Sequence, residues 1–529
     1  MLGLLAAAAL AVAHPPPALL DLRVSDGSTP FAGDRRMLTT VSPNGDGFRD
    51  SAIVSFRLTE PATVQLSAVA TEMIEAGQSG TVTVWSETRR LPAGAGTLRW
   101  RPAKSTPPRT YILRLTVRDG AGRTRVYGAY GPAGRQNAPV VRVQGIDAVF
   151  TQRSYAPGQS AELQLATDAR HLRLQVFAYQ TPGTPAAQDV KTSGVAMTGP
   201  IPVDWSDHRN APALLRVVRT GAWPSGLYFL RATSSDGRVG YAPFIVRPKQ
   251  LGEHRVAVVL ATNTWAAYNF EDADGNGWGD SWYVTLRNRV VDLDRPFLDF
   301  GVPFRFHDWD LEFIAWLNQT GKHVDFLSDD DLDGGVTGDE LAKRYDLIVF
   351  PGHEEYVTAS EYDVVRRYRD LGGNLMFLAA NNFYREVTRR GHTIVRGKLW
   401  RDLGEPESAL VGVQYTASNH GEHQEPFTVT GAQTASWAFA GTGLVNGSTI
   451  GGQYGIEIDA RTPSSPPSTE LLADIPGLMG PTKTAEMTYY ETPAGAKVFA
   501  AGAINFAASL TDPVVQRFVQ NLWDKLTAP

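Results

Sequence analysis

Residues 345–356 read YDLIVFPGHEEY, a continuous apolar run that ends in a Pro-Gly turn and a cluster of polar side chains. Two further apolar runs are HRVAVVLAT at 254–262 and NLMFLAAN at 374–381. Such runs, without polar alternation, are typical of strands buried on both faces. The stretch EYDVVRRYRDLGG at 361–373 has helical spacing and ends at a glycine pair. This alternation predicts an α/β domain over residues 249–529 with a mainly parallel sheet.

The turn PGHEE at 351–355 resembles the strand-to-helix elbow of glutamine-amidotransferase-like folds, which implies that topology for the C-terminal sheet. In those folds the elbow holds a cysteine. This chain has no cysteine, which excludes thiol chemistry, disulfides and thiolate metal sites. Residues 395–490 interrupt the strand-helix rhythm and are rich in Gly, Ser and Thr. We expect this stretch to be a β-rich insertion.

The N-terminal half has a different pattern, in which short alternating apolar runs are separated by Gly, Pro and Asn. The pattern predicts two β-sandwich modules, one over residues 20–142 and one over 143–248. The motifs SPNGDG (42–47) and RTYILRLTVRDGAGR (109–123) resemble the immunoglobulin-like (Ig-like) domain of the flagellar hook-capping protein. That resemblance implies spacer or adhesive modules with a cell-wall or surface partner.

The length and net charge of the chain narrow the classes of partner that can be expected. The 529 residues carry a net charge of -5, which gives no reason to expect binding to nucleic acid or to an anionic membrane. The first residues, MLGLLAAAALAVA, form an apolar run too short to span a bilayer, and no other segment is suitable. Ala11-Val12-Ala13 fits a cleavage site of small residues. We therefore expect residues 1–13 to be a signal peptide and the protein to be secreted or extracellular.

Polar side chains follow three of the predicted strands at the point where each strand ends. Tyr268 comes after the first run, His353 and Glu355 come after the second, and Asn381 closes the third. Glu491 stands shortly before the last predicted strand. Ligands of doubly wound sheets bind at the carboxyl ends of the strands. We therefore expect Tyr268, His353 and Asn381 to share one edge of the sheet.

These strand ends belong to a longer set of motifs that resembles the large (beta) subunit of N,N-dimethylformamidase and its relatives. The motifs occur in the family's order and are SGLYFLRA (225–232), TWAAYN (264–269), DRPF (294–297), FIAWLNQTGKHVDFLSDDDL (313–332), YDLIVFPGHEEY (345–356), GGNLMFLAANNFYR (372–385) and KVFAAGAINFA (497–507). The resemblance implies a centre with iron (Fe3+) ligands, proton-transfer groups and a substrate contact. The implied iron ligands are Tyr228, Tyr268 and Glu355. The implied proton-transfer groups are His353 and Glu491, and the implied substrate contact is Asn381.

The chemistry of such a centre is coherent. Phenolate and carboxylate are hard oxygen donors that suit Fe3+. A bound cation lowers the pKa of a tyrosine, and three protein ligands leave positions open for an amide oxygen or a water.

Each residue also has a structural alternative. Tyr228 lies in a strand pattern, where tyrosine is common as packing. His353 is suited to cap the following helix, and one of Glu354 and Glu355 to be a solvated turn residue. Glu491 on its own is typical of a surface position.

The sequence also departs from the family. The family usually has Asp where Glu354 stands and often Trp where Val357 stands. The dimethylformamide enzyme has a small subunit that this chain lacks. After TWAAYN the chain runs EDADGNGWGDSWY in place of a short glycine-rich turn, which leaves the substrate open.

The acidic loop DADGNGWGD, residues 272–280, follows the first half of a calcium-binding loop. Its candidate ligands are Asp272, Asp274, Asn276 and Asp280. The twelfth position holds Tyr283 instead of the bidentate glutamate, so a solvated turn is the alternative. Asn44, Asp46 and Asp50 are weaker candidates for calcium ligands, and a simple turn is the alternative. The run DDDLDGG at 329–335 is expected to be solvated or to begin a helix.

Two functions from different classes follow from these patterns. The leading hypothesis is an exported, metal-dependent hydrolase-like protein that acts on the C-N bond of an amide. The alternative is a non-catalytic cell-surface binding or adhesion protein in which the α/β domain is a degenerate scaffold.

Overall fold

The computed structural model describes residues 15–75, 78–132, 134–179, 194–283 and 288–528. The expected signal peptide, residues 1–13, lies outside them. Among the described residues, no helix combines the length and apolar character needed to cross a membrane. The chain forms two compact units. The first is Met1–Ile74, Ser79–Gln144 and Asp274–Trp278, and the second is Glu75–Gln78, Gly145–Ala273 and Gly279–Pro529.

The first unit is a β-sandwich. Its described strands are β1 (Leu19–Ser25), β2 (Leu38–Val41), β3 (Ala52–Leu58), β4 (Ala62–Glu75), β5 (Gln78–Leu91), β6 (Gly94–Trp100), β7 (Arg109–Arg118), β8 (Thr124–Tyr127) and β9 (Val140–Val143). One sheet has the order β1-β3-β6 and the other β2-β9-β7-β4-β5, with β8 paired to β7. Val54 from the first sheet and Leu66 and Leu115 from the second share one core. The shared core confirms a β-sandwich, the coarser part of the Ig-like prediction.

The second unit begins with another β-sandwich. Its described strands are β10 (Asp147–Phe150), β11 (Ser154–Tyr155), β12 (Ser160–Ala166), β13 (His171–Tyr179), β14 (Gly194–Ala196), β15 (Ile201–Asp204), β16 (Ala213–Arg219), β17 (Gly226–Ser234) and β18 (Val239–Val246). One sheet is β10-β12-β16 and the other is β11-β18-β17-β13-β14, with β15 paired to β13. Leu163 and Leu230, one from each sheet, lie in a common core with Trp205.

The rest of the second unit mixes strands and helices. The strands are β19 (Val256–Leu260), β20 (Val290–Asp292), β21 (Asp325–Ser328), β22 (Leu347–Phe350), β23 (Tyr356–Thr358), β24 (Asn374–Phe377), β25 (Arg385–Arg390), β26 (Thr393–Leu399), β27 (Gln414–Ser418), β28 (Glu425–Val429), β29 (Thr449–Tyr454), β30 (Glu457–Ala460), β31 (Glu470–Ile475), β32 (Ala485–Glu491) and β33 (Lys497–Ala500). The helices are α1 (Thr262–Tyr268), α2 (Leu298–Gly301), α3 (Glu312–Gln319), α4 (Asp329–Asp333), α5 (Gly338–Arg344), α6 (Ala359–Asp370), α7 (Ser408–Val411) and α8 (Pro513–Thr527). Short 3-10 turns cover Ser206–His208, Trp400–Leu403 and Phe506–Thr511, and a π-helical turn covers His307–Leu311.

The central sheet has the strand order β21-β19-β22-β24-β33-β32-β31-β28-β29. The pairings from β21 to β33 are parallel, and those from β33 to β29 are antiparallel. The prediction of a mainly parallel sheet is therefore not confirmed, because the sheet is mixed. The cause is the β-rich stretch 395–490, whose strands extend the edge of the same sheet beyond β33.

Both faces of the parallel half of the sheet are covered. Along β19, Val256, Val258 and Leu260 belong to one core, which also contains side chains of α3 and α8. Ala257 and Val259 belong to another core, which contains side chains of α5 and α6. Because both faces are buried, β19 and β22 are apolar at every position rather than at alternate ones.

Candidate active site

The turn after β22 presents the polar residues of PGHEEY. Gly352 has no room for a side chain, because an added Cβ would lie 2.6 Å from Asp310 Oδ1. His353 follows, is buried, and has its Nδ1 2.9 Å from the carbonyl oxygen of Ala380. Helix α6 is capped by Thr358, whose side chain accepts a hydrogen bond from the Glu361 N–H. The alternative in which His353 caps this helix is therefore wrong.

Tyr268, His353 and Glu355 meet at the carboxyl ends of β19 and β22. Tyr268 is the last residue of α1, and its hydroxyl donates to Glu355 Oε2. The same carboxylate oxygen lies 3.1 Å from His353 Nε2, and the Tyr268 hydroxyl lies 3.5 Å from that nitrogen. Both Glu354 and Glu355 are buried, so the alternative in which one of them is solvated is wrong.

A second carboxylate, Glu457, completes this cluster. It comes from β30, which pairs with β27 in a two-stranded sheet. Glu457 Oε2 lies 3.9 Å from His353 Nε2 and accepts a 2.8 Å hydrogen bond from Asn381 Nδ2. The backbone of Asn381 has a positive φ of 56°, and its N–H donates to the carboxylate of Asp459 at 2.9 Å. Asn381 Oδ1 is buried without a hydrogen-bond partner.

Burial and crowding of acidic groups control the protonation of this cluster. Burial, followed by the Glu355 carboxylate, raises the pKa of Tyr268 well above its usual range. Burial raises the pKa of Glu457, an effect that the nearby His353 opposes and Glu355 reinforces. Burial lowers the pKa of His353, but its hydrogen bond to Glu355 and the carboxylates outweigh this effect, so its pKa is raised. The cluster therefore favours a cationic imidazole and neutral phenols.

Aromatic rings surround the cluster. The ring of Trp309 lies 5.1 Å from that of His353, and the ring of Tyr283 lies 5.0 Å from that of Tyr268. The Tyr356 ring is 5.8 Å from that of Tyr268, and burial and the Glu355 carboxylate raise the pKa of Tyr356 well above its usual range. Low-dielectric walls strengthen every electrostatic interaction between the polar groups they enclose. The arrangement therefore suits chemistry that separates charge.

Comparison with known proteins assigns the family. The family described as N,N-dimethylformamidase beta subunit-like, C-terminal, matches residues 204–520, which is more than half of the chain.

The chain belongs to this family.

Two curated relatives are similar over a smaller part. The N,N-dimethylformamidase beta subunit of Paracoccus aminophilus is 25% identical over 274 residues, which cover 40% of this chain and 36% of that protein. The protein of the same name from Alcaligenes sp is 26% identical over 259 residues, covering 38% and 34%. The match thus spans about a third of the length of these relatives.

Among solved structures, trypsin-activated alpha-2-macroglobulin from Escherichia coli is 13% identical, with a TM-score of 0.24, over 44% of this chain and 17% of that chain. A TM-score this low does not support a shared fold.

Tyr228, expected as an iron ligand from the N,N-dimethylformamidase resemblance, lies elsewhere. Along β17 the side chains alternate, and Tyr228 faces the core of the second sandwich, where its ring stacks on Trp223 and Phe244. Its hydroxyl donates to the carbonyl oxygen of Pro224 at 2.7 Å. Tyr111 in the first unit makes the same contact with the residue four positions upstream. Both match the tyrosine corner of β-sandwiches, so Tyr228 is not brought to Tyr268 and Glu355.

Glu491 also lies apart from the other expected residues. It ends β32 with its side chain 48% exposed, and its Oε1 lies 3.1 Å from Lys525 Nζ. The carboxylate that lies beside His353 together with Glu355 is that of Glu457. A signal for Glu457 exists in the sequence, since GIEID (455–459) alternates isoleucine with an acid in a β pattern. Only the fold shows that both acids are buried.

The acidic loop gathers part of its expected ligand set. Asp272 and Asp280, both in the second unit, offer carboxylate oxygens that lie within 4.8 Å of each other. The side chain of Asn276 is hydrogen-bonded within the loop, because its Nδ2 donates to Asp274 Oδ2 at 2.9 Å. In the weaker loop, the Asp50 carboxylate accepts from the backbone N–H groups of Gly45 and Gly47. The run 329–335 begins α4, as one alternative predicts, but Asp329 is fully buried.

Proposed function

We propose that this protein is a metal-dependent hydrolase of the C-N bond of a small amide. The observation that carries the proposal is the buried contact of Tyr268, His353 and Glu355, with Glu457 and Asn381 beside it. Burying several ionisable groups together costs folding free energy. Such a cluster is therefore a candidate for binding a ligand or a cation, or for catalysis. The family relatives named as N,N-dimethylformamidase beta subunits point to amides as the substrate class.

The proposed resident metal is Fe3+. Tyr268 and Glu355 would hold it as hard oxygen donors, and Tyr356 would supply the second phenol, in place of Tyr228, because it is buried with its ring 5.8 Å from that of Tyr268. When bound, the ion would supply a Lewis acid that polarises the amide carbonyl. The raised pKa values of Tyr268 and Tyr356 fit this assignment, since a bound cation would allow these phenols to ionise.

Glu457 and His353 are the proposed proton-transfer groups. In the reaction, water adds to the carbonyl carbon and loses a proton to Glu457. The C-N bond then breaks, and the nitrogen leaves as an amine after taking a proton from His353, while the acyl part becomes a carboxylic acid. His353 is oriented for this role by its Nδ1 contact with Ala380, which leaves Nε2 facing the two carboxylates.

Asn381 is the proposed substrate contact. Its Nδ2 holds Glu457, and its Oδ1 has no protein partner, so this oxygen is available to a donor on the substrate or to water. The backbone of Asn381 has a positive φ, and its N–H donates to both carboxylate oxygens of Asp459. These hydrogen bonds hold the residue in place. A fixed contact of this kind orients a substrate before reaction.

Metal analysis and an amide assay on the purified full chain test the proposal. After expression with ample iron, we expect about one iron per chain, a visible charge-transfer band and release of amine from formamides or acetamides. A colourless, iron-free protein that releases no amine would contradict the proposal. It would favour the rival function, a non-catalytic surface-binding protein.

Two further proposals rest on the sequence patterns. We propose that the loop 272–280 binds calcium, and calcium should then raise the melting temperature of the wild type by more than that of Asp280→Asn. We also propose that the protein is exported. N-terminal sequencing of the protein recovered outside producing cells should then begin after Ala13.

A further inference from the structure

The turn that carries Glu355 also carries a second cluster of carboxylates. Glu354 is grouped with Asp329 at the start of α4 and with Glu361 in the first turn of α6. Each offers a carboxylate oxygen, and these atoms lie within 4.8 Å of one another. All three residues are 0% exposed. The cluster is distinct from the Tyr268 and Glu355 contact, because the neighbouring residues Glu354 and Glu355 contribute to different groups.

The protein supplies donors to only some of these oxygens. Asp329 Oδ2 accepts from the backbone N–H of Asn263 and, at 3.1 Å, from Thr262 Oγ1. Glu361 Oε2 accepts from the Thr358 N–H at 3.4 Å. Four oxygens remain buried without a hydrogen-bond donor, namely Asp329 Oδ1, Glu354 Oε1, Glu354 Oε2 and Glu361 Oε1.

Buried carboxylates are usually neutralised by ion pairs with cationic side chains. In the part of the chain that the structure describes, none of the three carboxylates forms an ion pair, and the nearby Arg389 pairs with Asp330 instead. A buried carboxylate must be paired, protonated or bound to a metal, because transfer of the bare charge out of water costs many kcal/mol. The alternatives are therefore protons shared among the three groups, or a cation.

We propose that Asp329, Glu354 and Glu361 bind one divalent cation of the calcium, magnesium or manganese class, separate from the iron centre. All the donors are hard anionic oxygens, which this class prefers, and no imidazole or thioether is among them. One carboxylate oxygen from each of α4, the turn and α6 lies within 4.8 Å of the other two, as ligands around one ion do. The ion would brace the turn that carries His353 and Glu355.

Metal analysis of four full-length proteins separates this site from the others. The set is wild type, Glu361→Gln, Asp280→Asn and Tyr268→Phe. We expect the wild type to hold one divalent cation that Asp280→Asn, altered in the acidic loop, and Tyr268→Phe, altered at the iron centre, both retain. Glu361→Gln should lose this cation while keeping the metal content of the other two sites.

Thermal unfolding distinguishes a cation from shared protons. After chelation, returning the retained cation should raise the melting temperature of Asp280→Asn, whose acidic loop is altered, by about 5 °C. It should leave the double variant Asp280→Asn with Glu361→Gln unchanged. If Glu361→Gln does not fold, equilibrium dialysis of the wild type and Glu361→Asp against calcium and manganese replaces it, with weaker binding expected for Glu361→Asp. A wild type that binds none of these cations at the cluster would overturn the proposal. So would a Glu361→Gln protein that is more stable than the wild type, because neutralising one of three crowded acids stabilises a proton-sharing cluster.

Discussion

Glu457 is the single side chain on which the proposed proton transfer depends most. Glu457→Gln keeps the size of the side chain but removes the base. We expect kcat/KM for amide hydrolysis to fall about 10²-fold to 10⁴-fold, with iron content unchanged. Steady-state amine release and metal analysis on the same preparation measure both quantities.

Glu491→Gln is the matched control for this prediction. Glu491 is half-exposed and its ion pair with Lys525 is worth at most about 1 kcal/mol, so the variant should keep nearly full activity. If Glu491→Gln loses activity and Glu457→Gln does not, the assignment of the base is reversed.

The two tyrosines of the motifs SGLY and AYN give a second residue-level prediction. Tyr268→Phe removes an oxygen donor from the cluster and should abolish iron binding and visible colour. Tyr228→Phe removes only the hydrogen bond to Pro224 and should keep both, at a cost of about 1 kcal/mol in the free energy of unfolding. Absorption spectra, iron content and urea unfolding of both variants check this. Loss of iron from Tyr228→Phe would restore that residue to the site.

What could be predicted at this scale depended on where a residue lies in the chain. Tyr268, His353, Glu355 and Asn381 follow parallel strands, so a general rule about strand ends brought them together. Glu457 escaped that rule, because β30 belongs to a separate two-stranded sheet that reaches the site only through tertiary packing.

Among the elements, the π-helical turn His307–Leu311 contains a histidine whose titration is expected to make the stability of the protein depend on pH. It carries Trp309, which packs on His353. His307 Nδ1 lies 3.0 Å from Asp308 Oδ1, and its Nε2 lies 3.1 Å from Glu312 Oε1. These hydrogen bonds raise the pKa of His307 from 6.5 to about 9.

The sign of the resulting pH dependence follows from the raised pKa. The stabilisation from His307 is fully present below the unfolded pKa of about 6.5 and is lost as the pH rises through about 9. Because the side chain is partly exposed, we expect a loss of about 1–2 kcal/mol over this range. Urea unfolding of the wild type and His307→Gln should therefore diverge at low pH and converge at high pH. Parallel curves would contradict this assignment.

The central sheet shows why an element can be predicted while its sheet is not. The buried strands β19, β22 and β24 were evident from their continuous apolar runs. Whether the sheet ends there is decided by edge pairing, and an antiparallel strand such as β32 or β31 leaves no distinct pattern in its own sequence. The β-rich character of 395–490 was therefore predictable, but its addition to the same sheet was not.

At the scale of the whole molecule, the two compact units have separate cores. Leu66 is fully buried in the core of the first unit, and Leu375 is fully buried in a core of the second. Units with separate cores need not unfold as one cooperative system. We therefore expect calorimetry of the full chain to resolve more than one unfolding transition.

Matched substitutions assign the transitions to the units. Leu66→Ala and Leu375→Ala each create a buried cavity and should each cost about 2–5 kcal/mol. Leu66→Ala should lower one transition temperature and leave the other unchanged, and Leu375→Ala should do the reverse. Iron removal should shift only the transition that Leu375→Ala lowers, because the residues proposed to hold the iron all belong to the second unit. A single transition that both substitutions lower equally would mean that the units unfold together, and the stability of the site would then depend on the first unit as well.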